Sequence, residues 1–441
     1  MKFWTTGIFV ALGALLPTLA LGQNQWDAPG LPPANYFEPS YSNGYPGGGY
    51  PGGGYSGGYE QLLPERNDQY GGDSLRRLTI REAFAESYVR LDYMHWKING
   101  GDGALLGAPV APSTLGAPPP DLSGRNRNNR LQATNAITGL QPQTFVVVPT
   151  LENEFDSVNG LRGTFGIPTL AGTLETEIFY FEQVDNVITI NPFLDNQSPA
   201  SASTIIAGTT LFINGALSPD RMILYNDGYQ AIQKTSFWGT EANWIFNPFT
   251  PNVPTEISPI LGFRYIALHD DLSIRGRDIQ SPTLTLNHMI ESMTRNHIFG
   301  PQIGLRAQSY LGPRFELGAE VKFIAGINSM DESVNTSEIF NPTTSADPNQ
   351  TLEPNRSFNN HRTRFAPVFD LALTGKLQVS PHFKLFASYE FLLGTGFSRA
   401  FDNINYDSPP SATSAPTIRL KSDLQEFMAH GFAVGGEFVF R

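Results

Sequence analysis

Fourteen charged residues recur at even spacings along apolar segments: Arg162; Glu175 and Glu177; Glu241; Arg264; Arg306; Glu316, Glu320 and Lys322; Asp370 and Lys376; Lys384 and Glu390; and Glu437. Even spacing places the charges of one segment on one face of a β-strand. Eight acids and six bases on such faces have two chemistries open to them. They neutralise one another as a buried ion-pair network, or they line a pore and filter solutes. Catalytic patterns are weaker. The histidines at 95, 269, 288, 297, 361, 382 and 430 show neither H-x-x-x-H nor H-E-x-x-H metal spacing, and no G-x-S-x-G occurs. His269, beside Asp270 and Asp271, lies at a strand end, the one place where an acid/base group could sit over a substrate; a rim histidine bonded to loop backbone is the simpler reading. Asp331, Glu332, Asp402 and Asp407 lack the dense D-x-D-x-D spacing of a calcium loop and read as solvated charge. The chain has no cysteine, which excludes disulfides, cysteine-ligated metals and cysteine nucleophiles. The expectation is no catalytic residue, no metal, no cofactor and no enzyme.

Composition narrows what can position these charges. Of 441 residues, 40% are hydrophobic and 16% charged, against about 25% charged in ordinary soluble domains. With 43 glycines and 34 prolines the chain is a poor candidate for an all-helical fold. No run of about 20 apolar residues follows the N-terminus, so helical membrane spans are not expected. A net charge of −12 argues against a nucleic-acid partner.

Apolar and polar residues alternate with period two over ten segments: Ser87–Ile98, Asn159–Ile167, Thr173–Glu182, Thr235–Asn247, Ser258–Asp270, His297–Leu311, Arg314–Ile327, Arg364–Ser380, His382–Gly394 and Phe427–Phe440. The seventh is the clearest. Phe315, Leu317, Ala319, Val321 and Phe323 fall on one side, and Glu316, Glu320 and Lys322 on the other. The connections alternate between long (99–158, 183–234, 271–296, 328–363, 395–426) and short (168–172, 248–257, Gly312-Pro313, Pro381). An antiparallel up-and-down transmembrane β-barrel has this asymmetry, with short periplasmic turns and long outer loops. The fold class is therefore all-β, a barrel of about ten strands over residues 87–441. A soluble sandwich that binds carbohydrate is the competing fold. Trp238 at one end of its strand, and Trp244 and Phe246 at the other, suit interfacial girdles. Pro301 and Pro367 each remove a ladder hydrogen bond and are expected near strand starts, at the loop-side rim.

Ahead of the strands, Met1-Lys2, the apolar run Gly7–Leu16 and Ala20-Leu21-Gly22 form a secretory signal peptide over 1–22, with cleavage before Gln23. Residues 23–86 read as a flexible periplasmic tether. It contains a tandem Tyr-Pro-Gly-Gly-Gly repeat from Tyr41 to Tyr59 and a short amphipathic helix over Ser74–Glu86.

Several segments resemble a known family. These are SYVRLDYMHWKINGGD from Ser87, ILGFRYIALHDDLSI from Ile260, TRNHIFGPQIGLRAQ from Thr294, the strand from Arg314, RFAPVFDLALTGKLQVSPHFKLFASYEFLL from Arg364 and SDLQEFMAHGFAVGGEFVFR from Ser422. Together, over about half of the chain, they resemble the β-barrel porin family of planctomycete outer membranes. The resemblance implies an integral barrel of the cell outer membrane, surrounded by its lipid. The alternation Phe432, Val434, Gly436, Phe438, Phe440 resembles the C-terminal signal read by the barrel assembly machinery, although Arg441 follows the last aromatic. Function then divides two ways. A porin-like barrel passes small polar solutes; a closed barrel acts through its five long loops in surface structure, adhesion or partner binding. The buried network fits a ten-strand barrel, because interiors near eight strands are filled by side chains.

Overall fold

The computed structural model describes residues 87–101, 103–108, 130–132, 145–151, 155–190, 205–213, 216–217, 223–249, 255–281, 284–339, 355–408 and 418–440. The expected signal peptide and tether, with its short helix, lie outside them. Every regular element among the described residues is a strand. The main sheet has thirteen: β1 (Tyr88–Ile98), β2 (Phe155–Thr169), β3 (Gly172–Phe181), β4 (Val184–Ile190), β5 (Tyr229–Phe246), β6 (Thr255–Ser281), β7 (Leu284–Tyr310), β8 (Phe315–Ile324), β9 (Ile327–Ser337), β10 (Arg356–Phe365), β11 (Val368–Ser380), β12 (Phe383–Phe397) and β13 (Gln425–Val439).

Ten of them close a ring, in the order β1-β2-β3-β5-β6-β7-β8-β11-β12-β13 and back to β1, every pair antiparallel. All ten expected strands are there. The ring's geometry follows from its register. A row of facing residues leaves β7 at His297 and passes Ala267, Trp238, Tyr180, Leu161, Tyr93, Val434, Ala387, Gly375 and Leu317. It re-enters β7 at Ser309, a shear of twelve residues. Ten strands with that shear tilt about 42° and enclose a cylinder of about 10 Å backbone radius.

Alternation sorts the side chains as the sequence reading expected. Leu317, Phe323, Leu373, Leu377, Leu385 and Val434 stand exposed on the outer face, while Glu316, Lys322, Asp370 and Glu390 are buried inside. On the outer face, exposed apolar residues of β7 and the residue that follows it run from Phe299 to Leu311. At the ring's tilt that advance of about twelve residues rises about 29 Å, close to the ~25 Å apolar band of membrane barrels. A lower aromatic girdle holds Phe246, Phe315, Phe383, Phe438 and Phe440. Phe432, expected with Phe438 and Phe440 in the assembly signal, is also outward and exposed. The turn between β7 and β8 is tight, and Gly312 there has φ +96°, a conformation that favours glycine.

The structure corrects the loops. Residues 271–296, expected as loop, continue β6 and β7 as one hairpin of two 27-residue strands. Residues 328–363 contain most of β9 and β10, and residues 183–234 contain β4. Above the ring, β4, β9 and β10 extend the wall on one side only, pairing with β5, β7 and β9. Of these overhanging strands β9 alternates polar residues outside with a buried inner face, β4 is buried only at Ile190 and β10 has no buried residue, a weak signal in a sequence window centred on apolar content. The rim between ring and overhang is where the prolines fall. Pro301 lies mid-way along β7, not near its start, at the height where β7 exchanges β8 for β9. There the Ala325 amide donates to its carbonyl at 3.0 Å. Pro367 sits in the break between β10 and β11. Both occupy places where no ladder bond is required of their nitrogen. Trp238, once β5 is seen to begin at Tyr229, lies mid-strand at the upper edge of the lipid band.

The wall parity predicts unequal effects of neighbouring substitutions. Leu373 is 50% exposed on the outer face and Thr374 faces inward. Leu373→Arg is expected to destabilise by about 2–4 kcal/mol in lipid, and Thr374→Arg by less, measured by urea unfolding in vesicles.

Candidate functional site

The lumen is filled in layers. The lowest is ionic. Each of the fourteen charged residues expected there belongs to it, and two from β1, Arg90 and Asp92, complete it. The even spacing Tyr88, Arg90, Asp92, Met94, Trp96 was the available signal for those two; the apolar residues below and above them obscured it.

The strongest pairs cross the barrel between strands three places apart in the ring. Arg162 on β2 reaches Glu390 on β12 at 2.5 Å, and also Asp92 at 2.5 Å. Arg306 on β7 reaches Glu175 on β3 at 2.9 Å and Glu320 on neighbouring β8 at 2.5 Å. Lys322 on β8 reaches Glu241 on β5 at 2.8 Å, with Glu320 at 3.1 Å and Asp370 at 3.6 Å. Arg264 on β6 bonds Asp370 on β11, and Glu241 at 3.3 Å. Near the lower mouth, Lys376 and Lys384 share Glu437 and Glu316 at 3.2–3.9 Å. Glu177 is approached by Arg90 at 3.7 Å and Arg162 at 3.9 Å. Neutral groups satisfy remaining oxygens: Tyr88 on Glu175, Asn243 and Gln302 on Glu241, Ser388 on Glu390. Nine carboxylates thus face seven cations. The space left among them is a cavity of about 60 Å³ lined by Arg90, Arg162, Glu177, Lys322, Asp370 and Ser388, enough for a few waters.

Above the ions lies an apolar layer. Trp96 packs on Phe181 at 4.9 Å between ring centres, Phe181 stacks on Phe237 at 5.6 Å, and Phe427 lies 5.1 Å from both Phe237 and Phe397. Above that, the connection after β12 turns into the barrel. Ser398, Arg399, Ala400 and Asn403 are fully buried. Arg399 donates to Asp270 at 3.0 Å and to the Asn99 carbonyl at 2.8 Å, and its guanidinium lies 5.2 Å from the Phe401 ring. Asp270 also accepts from Thr235 and the Ala400 amide. Asn296 and Asn328 hold the same segment through Ser398 and Gly396. Gly101, with φ +86°, brings the connection after β1 against Phe401; a Cβ there would stand 2.5 Å from that ring. A second apolar cluster, with Leu106, Leu211, Tyr225, Tyr229, Ile290 and Ile404, closes the top inside the overhang.

The catalytic readings do not converge. Asp270 is the carboxylate of the Arg399 pair, while His269 faces outward, 5.5 Å from His297. His288 is buried, donates through Nδ1 to the Glu338 carbonyl and is held below its ordinary pKa by burial. Asp331 pairs with His361, Glu332 with Arg362, and Asp402 with Lys421. Among the described residues no three acids, histidines or cysteines gather as a metal site.

The excess of carboxylates makes the network asymmetric. Arg162→Gln leaves Glu390 without a cation and Asp92 and Glu177 with Arg90 alone, and removing one partner from a buried pair costs about 3–5 kcal/mol. Glu320→Gln leaves Arg306 with Glu175 and Lys322 with Glu241, so its loss should be clearly smaller. Thermal unfolding in detergent, followed by the gel shift of the folded barrel, checks the order; equal losses would contradict it.

The family model described as putative beta barrel porin-7 matches residues 88–440. No curated protein matches the chain. Among solved structures, the outer membrane protease OmpT from Escherichia coli is 11% identical, with 81% of this chain and 97% of that one covered and a TM-score of 0.36. A deltaS2S3 mutant of the monoaromatic hydrocarbon channel TodX is 8% identical over 84% and 95%, with a TM-score of 0.23. An anion-selective porin from Comamonas acidovorans is 11% identical over 80% and 98%, with a TM-score of 0.13.

Proposed function

The chain belongs to the putative beta barrel porin-7 family, a porin-like outer-membrane β-barrel protein, and from that premise we propose that its barrel is closed by its own side chains and serves as a rigid mount for the overhanging sheet. The ion pairs that cross the lumen carry this reading. A solute on the axis would have to separate buried charges at the ionic layer, the aromatic layer and the Arg399 segment in turn. The barrel sits in the outer membrane with its four short turns in the periplasm and the overhang outside. It performs no catalysis: Asp270, Asp331, Glu332 and Asp402 at its upper end are engaged in ion pairs. Its partners are outer-membrane lipid and, during insertion, the barrel assembly machinery. The fourteen charged residues are positioning groups for the wall. Residues 1–22 direct secretion and 23–86 tether the barrel on the periplasmic side.

Passage of small polar solutes is the second reading, favoured by the family's description as porins and by the cavity inside the ionic layer. Planar-bilayer recordings separate the two. The closed reading expects no discrete conductance steps from the full chain; reproducible open-channel steps would overturn it.

Orientation has its own test. An epitope inserted at the tip of the β6–β7 hairpin should be labelled on intact cells, and one beside Gly312 only after the outer membrane is opened. The inward segment gives another. Arg399→Ala removes its contact with Asp270, so limited proteolysis within residues 398–406 should accelerate while heat-modifiable migration persists.

A further inference from the structure

We infer that the outer face of β6 and β7, just above the lipid band at His269, Arg295 and His297, binds the phosphate of a phosphorylated lipid whose acyl chains lie down the wall below. The inference rests on the reading that these strands cross a bilayer. In register His269 faces Arg295, and His297 follows two residues along the same side of β7. The Arg295 side chain is exposed and has no carboxylate within ion-pairing distance among the described residues. By contrast, Arg275 and Arg277 higher on the hairpin pair with Glu291 and Asp227. Two acids flank Arg295: Asp331, opposite it on β9, is engaged with His361 at 2.7 Å, and Asp271, diagonal on β6, feels its charge without pairing with it.

The two imidazoles are prepared as hydrogen-bonding groups. The Tyr265 hydroxyl lies 2.7 Å from His297 Nδ1. With the hydroxyl donating, the ring proton of His297 sits on Nε2, free to donate outward. His269 Nε2 is screened from water and has no hydrogen-bond partner among the described residues, a condition a ligand oxygen relieves once the ring turns toward it. Burial, with His297 and Arg295 beside it, holds the His269 imidazole below its ordinary pKa.

What lies beneath selects a lipid over a free anion. Trp238 packs on Tyr265 at 5.2 Å, at the height where amphipathic rings meet headgroups. Below them Leu261, Phe263, Ile303 and Leu305 form an exposed apolar face. A fork of guanidinium donors flanked by imidazole N–H matches a phosphate, and the apolar strip matches its chains.

The experiment uses the full chain reconstituted in vesicles of phosphatidylcholine, with or without a minority of phosphatidic acid. Protease protection reports insertion, and native mass spectrometry after mild detergent release reports lipid retained per protein. Wild type should retain phosphatidic acid over phosphatidylcholine, and Arg295→Gln with His297→Gln should reduce that retention about tenfold. Arg275→Gln, outside the patch, should leave it unchanged. Inorganic phosphate at equal concentration should not displace the lipid; displacement would assign the site to the free anion and overturn the lipid. Equal retention of the two lipids by an inserted barrel would overturn the inference and leave the closed-barrel reading standing. Failure to insert in either vesicle would instead overturn the membrane reading on which the inference rests.

Discussion

Closure of the ring at ten strands with a shear of twelve sets the inner radius, and the radius decides what the interior must be. On a backbone cylinder of about 10 Å radius, an extended arginine meeting a glutamate bridges strands three places apart. Long charged side chains that would line a wider pore therefore meet across this one. Arg162 with Glu390, Arg306 with Glu175, and Lys322 with Glu241 are the outcome. Desolvated charges of this kind are tolerated only when paired and hydrogen-bonded. That requirement explains the dense supply of Tyr88, Asn243, Gln302 and Ser388 around them.

The wall was legible in the sequence because each ring strand separates lipid from lumen at every residue. Leu317 beside Glu316, or Leu373 beside Thr374, leaves no ambiguity of face. The ionic layer followed from the same parity. Its partnerships did not, because pairs three strands apart depend on the shear, which no single strand encodes. Arg90 and Asp92 share their face with Tyr88, Met94 and Trp96, so the charge there was diluted. The overhang escaped because β9 reads Ile-Asn-Ser-Met-Asp-Glu-Ser-Val-Asn-Thr-Ser, polar on both parities, and its buried face is recognised only once the inward loops are seen to cover it. The entry of Arg399 into the lumen had no local signature. Its partner Asp270 is 129 residues away.

The layers divide labour by depth. Ion pairs tie strands three places apart where lipid surrounds the barrel and water is scarce. Aromatic rings fill the lumen at the rim, where the wall changes from closed ring to half-wall at Pro301 and Pro367. Above it, the inward connections supply the apolar core that the open overhang would otherwise lack. The exposed hairpin is thus backed by a packed interior for much of its length.

The crossing pairs also carry a timing consequence. Arg162 and Glu390 are 228 residues apart in sequence and lie on either side of the β1–β13 seam. They can meet only after the first and last ring strands have joined. Pairings so distant in the chain form late, because loop closure must precede them. Until then the carboxylates and guanidinium groups remain hydrated in an open, curved sheet. The seam's closing is therefore coupled to expulsion of water from the lumen, and a ring closed in the wrong register would trap unmatched charge. The charges of the network are matched only when the two ends of the chain have met in register.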